Sequence, residues 1–233
     1  MSTVVAVDGP SGSGKSSVSR EVARRLGLAY LDTGAMYRAA TWWCLDQGVE
    51  LTDTAAVTAA VRSMRLELGL DPAAPTFTVD GRDVAAAIRT TEISSAVSAV
   101  ATNLDARAEL GRRQRAVIDA ERVDGWSGGR GVVAEGRDIT TVVAPDADVR
   151  VLLTASEEAR LARRARELHG SDDAAAIAAT HDQVVRRDAD DSTVVQFHVA
   201  ADGVTTVDSS CLDFEQTVAA VLEVVQRSLA AQR

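Results

Sequence analysis

The stretch TVVAVDGPSGSGKSS, residues Thr3 to Ser17, decides how the chain is read. Its first five residues are apolar or β-branched on both faces, as in a strand buried inside a parallel sheet. A glycine- and serine-rich turn follows Asp8, and a helical pattern follows the turn. Val18, Val22 and Leu26 fall at i, i+4 and i+8, and Gly27 stands where a helix C-cap glycine belongs. Between strand and helix, Gly9 to Ser16 match GxxxxGK[ST] in full and in the required context. Glycines let backbone amides turn inward around phosphate oxygens. The helix start adds partial positive charge. Lys15 reaches the β and γ phosphates, and the Ser16 hydroxyl is offered to Mg²⁺. Gly9, Pro10, Ser11, Gly12, Ser13, Gly14, Lys15, Ser16 and Ser17 therefore form a candidate site for a nucleoside triphosphate with its Mg²⁺.

Further strands are expected at Ala29 to Leu31, Val132 to Ala134, Val149 to Leu153 and Val204 to Val207. Helices are expected from about Ala35 to Gln47, from about Glu92, from Leu104 to Glu121, after Thr154, and over a final amphipathic run with Val218, Val221, Leu222, Val225 and Leu229. Thr154 and Glu157 have capping-box spacing. Residues 61–100 differ in texture. LELGLDPAAPTFTVDGRDV alternates like strands and carries the Asp80-Gly81 hairpin signal, which predicts a small β insertion. A polar, Ala/Asp-rich stretch spans 170–196. Strands alternating with helices predict an α/β doubly wound parallel sheet.

The chain has 233 residues and a net charge of −9. Of its 25 basic side chains, 24 are arginine and only Lys15 is lysine. The length suits one large domain with insertions, able to bury a core without disulfides. With three Trp, two Tyr and three Phe, that core must be aliphatic. The acidic balance argues against a general nucleic-acid or membrane-surface binder. No run of about 20 apolar residues is present, so no transmembrane helix is expected. Cys44 and Cys211 have no CxxC pattern and read as reduced thiols. These features predict a cytoplasmic monomer that binds neither nucleic acid nor membrane.

The γ-phosphate's destination narrows next. No NKxD guanine motif appears, and the strand that a motor ATPase would end in Asp-Glu reads VVAEGRD. Five segments together resemble the bacterial-type cytidylate kinase family: DGPSGSGKSS (Asp8 to Ser17), YLDTGAMYR (Tyr30 to Arg38), IRTTEIS (Ile88 to Ser94), VAEGRDITTVV (Val133 to Val143) and RRDADDST (Arg186 to Thr193). They follow the family's order and spacing over nearly the whole chain. The resemblance implies a P-loop kinase with a five-stranded parallel core, a nucleoside-monophosphate-binding insert and a mobile lid. On that pattern the core covers 1–60, 101–168 and 197–233, the insert 61–100 and the lid 169–196. The implied reaction moves phosphate from Mg-ATP to CMP or dCMP.

The resemblance also assigns residues. Arg38, Arg137 and Arg187 match phosphate-binding arginines, the residue suited to bidentate phosphate recognition. Lys15, Arg137 and Arg187 are the implied catalytic cations. Thr33, Ser98, Arg107 and Asp138 match positions that read cytosine and its sugar, and Asp191 matches a lid residue near the ribose. Asp138 suits cytosine chemically, because a carboxylate accepts from the exocyclic amine where uracil has a carbonyl. Asp32 ends the second strand and is a candidate to orient Mg²⁺ through water. Four positions depart from the family pattern. Val194 stands where the lid has a second arginine, His198-Val199 where Pro-Leu is usual, Thr140 in place of glycine, and Ala144 in place of an aromatic. Such an arginine is worth about 10³ or more in rate where it reaches the transferring phosphoryl. The departures leave two alternatives: a P-loop kinase of another small acceptor, or a catalytically weak nucleotide-binding paralogue. A compensating arginine such as Arg163 or Arg186 would restore the expected activity.

Overall fold

The computed structural model describes residues 2–232. The strand β1 (Thr3–Asp8) is the centre of the molecule, with Val4 to Val7 fully buried. The phosphate-loop turn leads into α1 (Lys15–Leu26), which ends on Gly27 at φ +64°, as its spacing predicts. β2 (Ala29–Asp32) follows, and Asp32 caps α2 (Thr33–Asp46) by accepting from the Ala35 amide at 2.7 Å. Next comes α3 (Thr54–Ser63), capped by Asp53. The sequence patterns above do not mark this helix, because its alanines blur the apolar face.

The predicted β insertion is an antiparallel sheet of β3 (Leu66–Gly69), β4 (Thr76–Val79) and β5 (Arg82–Asp83). Asp80 and Gly81 turn it at φ +48° and +78°, the left-handed pair that a two-residue hairpin needs. α4 (Thr91–Ala101) and α5 (Leu104–Glu121) then return the chain to the main sheet. Phe77, Val79 and Ile88 pack with Val57, Val61, Ala40 and Leu110, so the insertion shares one core with α2, α3 and α5.

β6 (Gly131–Gly136) pairs with both β1 and β2 and is followed by a wide π turn at Ile139–Val143. β7 (Val149–Thr154) leads to α6 (Glu157–His169), α7 (Ala174–Ser192), β8 (Thr205–Asp208) and α8 (Phe214–Ala231). The α6 cap differs from the expectation. Ser156 caps it, because Thr154 still belongs to the strand and its carbonyl accepts from the Ser209 amide at 2.8 Å.

The main sheet has five parallel strands in the order β2-β6-β1-β7-β8. The chain leaves β1 toward one edge and later returns to its other side. Ligands of such sheets bind at the carboxyl ends beside that switch point. One face packs Val18, Val22, Val218, Val221 and Val225; the other packs Met36, Ile118, Ile139 and Val143. Val and Ala dominate both layers, as the shortage of aromatics requires. Among the described residues, no helix is long and apolar enough to cross a membrane.

Candidate active site

The phosphate loop leaves β1 where the sheet's carboxyl edge opens. Gly9 is obligatory there, since a Cβ would lie 2.2 Å from the Leu153 carbonyl oxygen. Gly12 and Gly14 hold φ +75° and +87°, and Gly14 is the N-cap of α1. The amides of the first α1 turn have no i−4 partner and face the loop. Lys15 Nζ donates to the Pro10 carbonyl at 3.3 Å. Burial pushes the Lys15 ammonium down to about 8, with Glu135 opposing that shift and Arg137 and Arg187 adding to it.

The sequence motifs do not single out Glu135, yet it is a central group of the site. It is 1% exposed at the end of β6. Its Oε1 accepts from the Ser16 hydroxyl at 2.6 Å and from the Tyr30 hydroxyl at 3.3 Å. Its Oε2 is buried with no partner. Burial raises its pKa, and the neighbouring Asp32 raises it further. The Ser16 hydroxyl, the orphan Glu135 oxygen and Asp32 suit a hard cation that is held mainly by nucleotide phosphates, which needs only one or two protein carboxylates. VVAEGRD carried the signal, since an acidic residue at a strand end beside a phosphate loop is a metal-site pattern.

The loop opens into one cavity of about 1310 Å³. Ser11 to Ser17, Asp32, Thr33, Arg38, Arg107, Arg137, Asp138, Arg187 and Asp191 all line it. Gly9 and Pro10 lie behind the loop and shape it. Ser98 is set apart, in a small cleft with Ser94, Ser95, Arg186 and Arg187. Thr33 donates its hydroxyl to the Glu135 carbonyl at 2.7 Å, which leaves only acceptor capacity toward a ligand.

The arginines form a crowded positive cluster. Arg38 Nη2 is 3.3 Å from Asp32 Oδ2. Arg137 Nη1 pairs with Asp188 Oδ1 at 2.7 Å, and its Nε with Asp191 Oδ2 at 2.8 Å. Arg187 is pushed down to about 9, first by burial and then by the charges of Arg137 and Arg38. Its Nε is buried without a hydrogen-bond partner, which suits an anion such as phosphate. Asp138 pairs with Arg107 in a close ion pair, and burial raises the Asp138 pKa. Arg107 also lies over the Tyr37 ring, 5.6 Å from its centroid.

The departures from the family pattern have physical readings. The Thr140 hydroxyl donates to Asp8 Oδ2 at 2.6 Å, and the amides of Ile139 and Thr140 donate to the same carboxylate. This ties the π turn to β1 and fixes where Arg137 and Asp138 emerge. Ala144 is fully buried in the layer with Met36 and Ile118. Val194 follows α7 and brings no cation. Phe197, 1% exposed, instead places its ring 4.5 Å from the Arg137 guanidinium. His198 lies 3.2 Å from the Ser192 hydroxyl. Of the two candidate substitutes, Arg163 lines the cavity but is already engaged with backbone. Arg163 donates to the carbonyls of Ser13, Ser209 and Leu212, and Arg186 is exposed beside the Ser98 cleft.

A phosphate loop at the switch point of a five-stranded parallel sheet, opening into a cavity also lined by an arginine cluster, defines a P-loop kinase. Residues 5–227 match the family model described as Cytidylate kinase. The chain belongs to the cytidylate kinase family. It is 46% identical to a cytidylate kinase of Streptomyces avermitilis, over 98% of this chain and 95% of that one. It is 48% identical to one of Nocardia farcinica, over 97% and 94%. It is 47% identical to one of Cutibacterium acnes, over 97% of each chain.

Proposed function

We propose that the chain transfers the γ-phosphoryl of Mg-ATP to CMP or dCMP, giving CDP or dCDP and ADP. The observation that carries the acceptor assignment is the Asp138–Arg107 pair, buried in the same cavity as Arg38, Arg137 and Arg187. An ionised Asp138 accepts from the cytosine amine, and Arg107 donates to the ring's acceptor edge. The arginine cluster then binds the monophosphate, with Thr33 and Asp191 toward the ribose and Ser98 supporting from its cleft.

Lys15 and the loop amides hold the β and γ phosphates of the donor. Ser16, Asp32 and Glu135 are the protein groups that would hold Mg²⁺, which would supply neutralising charge to the phosphates. The protein's contribution is positioning and electrostatics, with no covalent intermediate. Arg137 and Arg187 line the cavity and stabilise charge on the moving phosphoryl. Residues 61–100 serve as the monophosphate-binding insert and 169–196 as the lid, whose closure excludes water.

A coupled assay with Mg-ATP and CMP, dCMP, UMP or AMP tests this reading. Turnover of CMP and dCMP at least about tenfold more efficient than UMP is expected, because Asp138 repels the uracil carbonyl. Turnover of AMP or UMP with none of CMP overturns it.

A further inference from the structure

Asp188 has no role in the site readings given above, yet it is 5% exposed and bound on every side. Its Oδ1 accepts from the Ser11 amide at 3.1 Å and from Arg137 Nη1 at 2.7 Å. Its Oδ2 accepts from Arg160 Nη1 in a close ion pair, and the same Nη1 donates to the Ser11 carbonyl at 2.9 Å. Asp188 comes from α7, Arg160 from α6, Ser11 from the phosphate loop and Arg137 from the turn after β6. Asp188 and Arg160 thus hold both polar groups of one loop residue. The same carboxylate fixes an arginine of the acceptor side. Its place is also well chosen: it takes the Ser11 amide and leaves those at the start of α1 for phosphate.

We propose that Asp188 is a positioning residue, a clamp through which α7 sets the phosphate loop and the Arg137 guanidinium together. This rests on the kinase reading above, with α7 as part of the lid. A lid that merely covered the cavity would need contacts along its rim. This one reaches the loop's backbone through a charge-assisted bond and shares that anchor with Arg137. One carboxylate therefore aligns donor and acceptor sites together, and misplacing either group by about 1 Å is costly in rate.

Two variants test the clamp. In nucleotide-free enzyme, hydrogen exchange at the Ser11 amide should be about tenfold faster in Asp188→Ala, because that amide loses its acceptor. Asp188→Asn keeps an acceptor oxygen, so exchange there should stay within about threefold of wild type. Both variants should lose about 10²-fold in kcat toward CMP, because Arg137 and Arg160 lose their shared counter-charge, while KM for Mg-ATP stays within about threefold. Unchanged exchange in Asp188→Ala, or unchanged kcat in both variants, overturns the proposal. So does a rise in KM for Mg-ATP with kcat intact. Wild-type enzyme inactive on CMP would overturn the acceptor assignment; the exchange measurement still decides the clamp.

Discussion

The two regions of the cavity proposed to bind phosphate are built in opposite ways. The loop at 9–17 is mostly backbone: glycines at positive φ, amides at a helix start, and one lysine. The region around Arg38, Arg137 and Arg187 is all side chain, with guanidiniums from three separate elements steadied by Asp32, Asp188 and Asp191. A backbone cradle is specified by local sequence and is rigid before a ligand arrives. A cradle of long side chains is assembled by tertiary contacts and can be rearranged by a lid. The comparison teaches that the donor loop is largely preformed by local sequence, with Asp188 steadying its Ser11 corner, whereas the acceptor region is conditional on contacts between distant elements.

Several changes would break or sharpen that contrast. The largest effect is expected from Lys15→Ala, which removes the loop's only cation. Loss of about 10³-fold or more in kcat/KM in the coupled assay is expected, with the fold intact by circular dichroism. Asp138→Asn should come next. Its amide offers a donor as well as an acceptor, so the ratio of CMP to UMP turnover should fall by about 10- to 100-fold.

Acidity affects the preformed side more gently. The free Lys15 ammonium is depressed to about 8 by burial. Its charge is complete well below that pH and is lost as pH rises through it. Bound triphosphate favours the charged form, so binding above pH 8 takes up a proton. KM for Mg-ATP should rise about tenfold per pH unit there, as measured in initial rates. The smallest change is expected from Val194→Arg. Restoring a guanidinium beside the conditional side should raise kcat by about three- to tenfold, limited because Phe197 already occupies one face of Arg137. A fall in kcat would show that Phe197 and Val194 are matched to one another.

The same division explains what the sequence made legible. The alternation of TVVAV, the loop and Val18/Val22/Leu26 reads out as β1 and α1, because local periodicity and glycine conformation decide those elements. Asp80-Gly81 reads as a hairpin for the same reason. The α6 cap lies two residues beyond the Thr154 that spacing predicts, since a backbone bond from Ser209 keeps Thr154 in the strand. Arg38, Arg137, Arg187 and Asp138 were legible through five motifs taken together. Glu135, Asp188 and Arg160 were not, although two of them lie inside quoted motifs. Their importance comes from what the fold brings to them: a Ser16 hydroxyl 119 positions away, or a Ser11 amide 177 positions away. Side chains that act through distant backbone leave no periodic trace.

The single lysine has one last consequence, and it is experimental. Every other basic side chain is an arginine or histidine, so Lys15 is the only ε-amine in the chain. With its pKa near 8, about a tenth of it is the free base at pH 7, against less than about 0.1% for an ordinary lysine. A mild acylating reagent should therefore titrate the nucleotide loop alone among side-chain amines. Its rate, read at Lys15 by peptide mass mapping so that the α-amino group is counted separately, would report occupancy of that loop without any mutation or coupled enzyme.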